Sequence, residues 1–337
     1  MHEGVIITKH IRKSIVYYFS VLTIFLIIVI ACAEDIQNID EVDNNIKSTG
    51  NVSLIVLGTV QDAGSPHAGC TKDCCADLFE SPDKKRMVVS LGLTDKKNRK
   101  TYLFEATPDL PRQMKSLNTL APFMQQETPN GIFLTHAHIG HYTGLMYLGK
   151  ESMSAKSVPV YTMPKMKSFL ENNGPWDQLI ALKNIEVQPI DNEVELMLTS
   201  SLKVKSITVP HRDEYSETVG YVISGPNKSA LFIPDIDKWE KWDKDIIDEI
   251  AKVNYAFLDA TFFDGEEINN RDISQIPHPF VIESMAKFES LPADQKAKIY
   301  FTHLNHTNPL LNPNSEKTKI VLENGFNIAR LNQVFDL

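Results

Sequence analysis

With 337 residues, 42% hydrophobic and 23% charged, the chain has the composition of a folded globular protein. It is long enough for one large domain or two small ones, and for a core that needs no disulfide staples. Its 34 basic residues against 43 acidic ones leave a net charge of −9. With no basic stripe anywhere, nucleic acid is excluded as a partner, whereas the acidic balance favours solubility and says little about substrate.

The elements divide first at the N-terminus. Lys9, Arg12 and Lys13 form a positive patch, Ile15 to Ile30 is nearly all apolar, and Val29-Ile30-Ala31-Cys32 follows, with Glu34 and Asp35 beyond. A short apolar run behind basic residues reads as an export signal rather than a membrane span. The small residue before Cys32 resembles a bacterial lipoprotein cleavage box. On that reading residues 1–31 are a signal peptide, and Cys32 carries a lipid that tethers the chain without spanning the bilayer. The protein is then exported and anchored to a bacterial membrane, facing the periplasm or the cell exterior; the alternative is an uncleaved signal anchor. Residues 32–51, polar and acidic with Asn44, Asn45, Ser48 and Gly50, read as a flexible tether. Residues 52–337 form the folded domain.

Within that domain Val52–Leu57 alternates and stops at Gly58, as a strand does. Gln61–Cys75, rich in Gly, Pro and Cys, is a loop. Met87–Leu93 and Thr101–Phe104 pair around the polar turn Asp95–Asn98, and Leu110–Leu120 has a helical pattern. Short strands follow at Ile132–Leu134, Val158–Tyr161, Ile185–Ile190, Val204–Val209, Val219–Ile223 and Ala230–Ile233. Trp239, Trp242, Ile246, Ile250 and Val253 have helical spacing. Tyr255–Leu258 and Ile299–Phe301 are further strands, with helices over Pro279–Leu291 and Asn314–Glu323. Strands arrive in clusters with helices between them, which predicts an α/β domain of two sheets with helices outside.

The strongest chemical signal is Thr135-His136-Ala137-His138-Ile139-Gly140-His141, directly after the strand Ile132–Leu134. Three imidazoles crowded at a strand end are suited to zinc, iron, manganese or nickel, and buried without an ion they would leave ring nitrogens unsatisfied. Other candidates stand after later strands: His211 in Val-Pro-His, Asp235 in Ile-Pro-Asp and His303 in Phe-Thr-His. Loops at strand ends can converge on one site.

This arrangement resembles the HxHxDH signature of the metallo-β-lactamase superfamily. The resemblance implies a four-layer αββα sandwich in which His136, His138 and His211 hold one metal, His141 and His303 a second, and Asp235 bridges both. One departure stands out: the family aspartate is Gly140 here, and glycine supplies no ligand atom. One firm metal and a weakened second site are therefore expected. In hydrolytic relatives a histidine near His278 acts as general acid, although His278, in Ile-Pro-His-Pro, could equally be a helix-flanking residue. Asp109 could support the metal loop by hydrogen bonding or cap the helix Leu110–Leu120.

Gly69-Cys70-Thr71-Lys72-Asp73-Cys74-Cys75 follows the first strand. The strand, loop and cysteine cluster look like two groups of relatives, the pyrroloquinoline-quinone biosynthesis B proteins and the cyclic phosphodiesterases of phosphonate breakdown. The second resemblance implies a structural zinc on Cys70, Cys74, Cys75 and His306. The spacing differs from the family pattern, so His67 could replace one cysteine, and a disulfide from Cys70 to Cys74 or Cys75 is the rival. The function implied is a metal-dependent hydrolase acting on a small phosphodiester, lactone, thioester or amide, using Zn2+, with Fe or Mn as other candidate ions. The alternative, implied by the first group, is an oxidative non-haem iron enzyme on His141, His303 and Asp235.

Overall fold

A computed structural model describes residues 50–268 and 272–337. The leader, Cys32 and residues 33–49 of the tether lie outside the described residues. Among the described residues no helix is long and apolar enough to cross a membrane.

The fold is two seven-stranded sheets. β1 (Val52–Gly58), β2 (Ser90–Asp95) and β3 (Lys100–Phe104) run antiparallel, and β4 (Ile132–Phe133), β5 (Val158–Thr162) and β6 (Ile185–Pro189) continue in parallel. The second sheet repeats the plan. β7 (Glu195–Thr199), β8 (Leu202–Thr208), β9 (Val219–Ser224) and β10 (Ser229–Ile233) are antiparallel; β11 (Tyr255–Asp259), β12 (Ile299–Thr302) and β13 (Asn327–Ile328) follow in parallel. β14 (Val334–Asp336) returns to pair with β1.

Three apolar clusters account for four layers. Because side chains alternate along a strand, Val52, Leu54 and Val56 of β1 face the second sheet and pack with Tyr221, Phe232 and Phe257. Ile55 and Leu57 face the other way, onto Leu110, Met114 and Leu117 of the helix Leu110–Leu120. On the far side Leu231, Ile233 and Leu258 meet Trp239, Ile246 and Val281. Strands covered on both faces read as nearly unbroken apolar runs, which is why β10 and β11 were recognisable in the sequence.

Several local expectations need correction. The Trp239–Val253 pattern is not one helix. A 3₁₀ turn at Trp239–Lys241 leads to the helix Ile246–Ala251, whose N-cap Asp245 accepts a hydrogen bond from Ile247 N. All five apolar positions are nonetheless buried, so the spacing reported burial rather than continuity. Met87–Val89 lies outside β2; Val88 instead makes an isolated bridge to Val60. The helix expected over Pro279–Leu291 is limited to Val281–Lys287. Strand β7, whose alternation is half exposed, and the helices Pro164–Asn172 and Trp176–Ala181, which carry a proline at the first helical position and at the N-cap respectively, were not anticipated.

Candidate metal centre

The six ligand candidates expected from the sequence each follow the carboxyl end of a strand, where ligands bind in open α/β sheets. His136, His138 and His141 follow β4, His211 follows β8, Asp235 follows β10, and His303 follows β12. The histidine loop is held from the second sheet: Tyr221 hydroxyl donates to Leu134 O, Val219 N to Thr135 O at 3.2 Å, and Ala137 N to Ser216 Oγ at 2.8 Å.

Two groups of potential ligand atoms share Asp235. In the first, His136, His138, His211 and Asp235 each place one ligand atom within 4.8 Å of the others. His136 Nε2 and His211 Nε2 lie 3.3 and 3.2 Å from Asp235 Oδ2, and His138 Nδ1 lies 2.8 Å from His136 Nε2. The outer ring nitrogens are occupied elsewhere, His136 Nδ1 by Thr135 Oγ1 at 2.9 Å and His138 Nε2 by Glu214 at 3.3 Å. In the second group, Asp62, His141, Asp235 and His303 converge in the same way. His141 Nε2 and His303 Nε2 stand 2.9 and 3.0 Å from Asp62 Oδ1.

Carboxylates back the second group. Glu105 Oε1 lies 3.2 Å from His141 Nδ1, although the two are not aligned for a hydrogen bond. Thr261 Oγ1 lies 2.8 Å from His303 Nδ1 and donates to Asp259 Oδ1 at 2.7 Å. Such outer partners fix the tautomer and orientation of metal-binding imidazoles. His278 Nδ1 sits 2.9 Å from Asp259 Oδ2 and 3.1 Å from Asp235 Oδ1, so it belongs to the centre and does more than flank a helix.

The electrostatics follow from burial against charge. Burial lowers His136 well below its ordinary value, and His141 beside it adds to the effect. Burial would also lower His141, but Asp62 and Glu105 outweigh it and hold the ring well above its usual value. Against the same penalty, Asp259 and Asp235 push His278 up to about 10. Burial would raise Asp235, yet His211 and His278 hold it well below the usual carboxylate range.

These residues suit a metal. Both ring nitrogens of His211, Nδ1 of His141 and Oδ1 of Asp235 are buried without a hydrogen-bond partner, a rare condition unless an ion or water completes the site. His136 Nε2 and His138 Nδ1, which face each other at 2.8 Å, are placed to share one cation. Imidazole and carboxylate donors accommodate zinc, iron or manganese.

A separate cluster gathers Cys70, Cys74, Cys75 and His306. The three cysteines are free thiols, so the disulfide alternative is not formed. Cys74 Sγ lies 4.0 Å from Cys70 Sγ and 3.9 Å from Cys75 Sγ. A tetrahedron with metal–sulfur bonds of ~2.3 Å has edges of ~3.8 Å, close to that spacing. His67 stays outside the group: its Nδ1 is 2.9 Å from Ala68 O and its ring lies against His306, centroids 4.4 Å apart. Burial and the adjacent Cys75 and Cys70 push the Cys74 thiol up to about 12, whereas, against burial, the Lys72 amide and the neighbouring thiols lower Cys70.

Sequence reasoning missed Asp62, Glu105, Asp259, Thr261 and Glu214. The available signal was position, since Glu105 and Asp259 lie at the ends of β3 and β11. Asp109 fills neither proposed role; it makes no side-chain cap and instead accepts from Val88 N at 2.9 Å.

Comparisons with known proteins agree with this architecture. Residues 100–304 match the model of the "Beta-lactamase superfamily domain". The chain is similar to the coenzyme PQQ synthesis protein B of Gluconobacter oxydans, 24% identical, covering 85% of this chain and 99% of the relative. The corresponding protein of Ruegeria pomeroyi is 22% identical over 82% of this chain and 97% of its own length. Among solved structures, Zn(2+)-bound PqqB from Methylobacterium extorquens superposes with a TM-score of 0.68 at 21% identity, over 85% of this chain and 100% of that one. A diphosphatase from the PhnP family gives 0.60 at 22% identity, over 84% and 96%.

Proposed function

Because this chain belongs to the beta-lactamase superfamily, matched across more than half its length, we propose that it is a metal-dependent hydrolase of a small ester, phosphodiester, lactone or amide. The observation that carries this reading is the convergence of His136, His138 and His211 on Asp235. A bound divalent ion supplies Lewis acidity and brings the pKa of a coordinated water toward ~7. The chain's own part is to hold that ion with neutral imidazoles and to present His278, fixed by Asp259, as a proton donor to a leaving group. Zinc is the ion proposed for both the centre and the cysteine cluster.

The test is hydrolysis of bis(p-nitrophenyl) phosphate, p-nitrophenyl acetate and a simple lactone by zinc-loaded protein, with and without chelator. Chelator-sensitive turnover of any of the three supports the reading. No hydrolysis, together with oxygen consumption by the iron-loaded protein, replaces it with the oxidative alternative.

We also propose that the protein is a lipoprotein anchored through Cys32, from the leader described above. Cys32→Ser should then remain unprocessed and unlipidated. Fractionation showing the variant processed and membrane-bound as the parent is would end that proposal.

A further inference from the structure

We propose that Asp62, from the loop after β1, replaces the metal-binding carboxylate that Gly140 removes from the histidine loop. The proposal rests on the reading of the centre as a metal site. Position, space and rigidity support it.

The first is position. Asp62 Oδ1 lies 2.9 Å from His141 Nε2 and 3.0 Å from His303 Nε2, so one oxygen faces the two imidazoles assigned to the second ion. The outer nitrogens of both rings face other partners, Glu105 and Thr261, which leaves the inner nitrogens and Asp62 to share a cation.

The second is space. A Cβ on Gly140 would lie 2.4 Å from Asp62 Cα, 2.7 Å from its Cβ and 2.8 Å from its Cγ. Real Cβ atoms do not approach so closely. The Asp62 side chain therefore fills the volume that a side chain at 140 would enter. Gly140 and Asp62 form one arrangement in which the glycine makes room for the carboxylate. The weakened second site expected from Gly140 alone does not follow once Asp62 is in place.

The third is rigidity. Gln61 N donates to Leu304 O at 2.9 Å and Leu304 N donates to Thr59 O at 2.7 Å. This ladder ties the residues before Asp62 to the residue after His303. The carboxylate and the imidazole are thus held side by side by backbone, a better basis for coordination than a loop alone. The Asp62 side chain is only 11% exposed, so it is not a surface acid that has swung inward.

The test is ion content of the full-length protein, loaded with zinc and desalted, with affinity for the weaker centre ion measured by chelator competition. Asp62→Ala should hold one ion fewer per chain than the parent, while keeping the ion at His136, His138 and His211. Loss of an outer hydrogen-bond partner alone costs ~10–100-fold in metal affinity, so loss of this ligand should weaken the second ion by at least ~100-fold. Gly140→Ala should lose the same ion, because its methyl displaces Asp62. If Asp62→Ala does not fold, Asp62→Asn keeps the shape and should weaken the second ion by at least ~10-fold. Parental ion content and affinity in the Asp62 variants would overturn the proposal and leave the metal reading standing. A parent that binds no more ions than Asp235→Ala does would overturn both.

Discussion

Asp235→Ala is expected to strip both ions from the centre while leaving the cysteine cluster loaded. Its Oδ2 stands 3.3 Å from His136 Nε2, 3.2 Å from His211 Nε2 and 3.9 Å from both His138 Nδ1 and His141 Nε2. Among the described residues Asp235 is the carboxylate shared by both groups, and at 2% exposure no solvent oxygen has easy access to its place. Removing it also takes away the negative charge that makes so many buried imidazoles tolerable, since an uncompensated buried charge is costly. His136→Ala or His138→Ala should be milder, each losing only the ion of the first group. In a hydrolytic assay, withdrawal of metal charge stabilisation worth several kcal/mol corresponds to a fall in kcat/KM of about 10³-fold or more. Elemental analysis decides the matter, and an Asp235→Ala protein with parental ion content would exclude a shared carboxylate.

His306→Ala should act on stability instead. The cysteine loop leaves β1 while His306 follows β12, so an ion between them staples the first sheet to the second. Structural zinc contributes directly to folding free energy. Opening one of its four bonds to this otherwise well-packed domain should cost on the order of 3 kcal/mol, or about 5 °C in Tm for a domain of this size. The same variant should carry one zinc fewer while the ion at His136, His138 and His211 stays bound. An unchanged melting temperature and zinc count would remove the structural role of the cluster. Melting the parent after chelation of the cysteine-bound zinc alone should reproduce the variant.

The parts of this molecule legible from sequence were those with a local signature. Strands β10 and β11 were recognisable because burial on both faces leaves an apolar run, and His136, His138 and His141 because three ligands share one short loop. His211, Asp235 and His303 required a known order of motifs, for nothing local distinguishes a lone histidine after a strand. Asp62 carried no signal of its own. It lies in a loop where an aspartate reads as a turn residue, and only the approach of Leu304 in three dimensions brings it to His303. Glu105 was equally hidden, because a glutamate after a strand is ordinarily solvated, whereas this one is fully buried beside His141. The broken Trp239–Val253 segment shows the converse, a correct account of burial drawn from a pattern that does not specify whether one helix or two short turns deliver it.

The partnership of β1 with β14 has a consequence for the order in which the domain is completed. Ser53 pairs with Asp336 and Ile55 with Val334, so the first strand of the sheet takes its outer neighbour from the end of the chain. Contacts this distant in sequence are slow to form, because a very long loop must close before they stabilise anything. In folding, β1 can meet β2 early, yet its other edge stays open until β14 docks, and an open edge invites pairing with other chains. Asp62, just beyond β1, and His303, just beyond β12, come together by a second pairing of this kind, that of Thr59 and Gln61 with Leu304. The cradle of the second ion therefore closes only when residues 241 apart in sequence have met, later than the histidine loop, whose three ligands lie within one short segment.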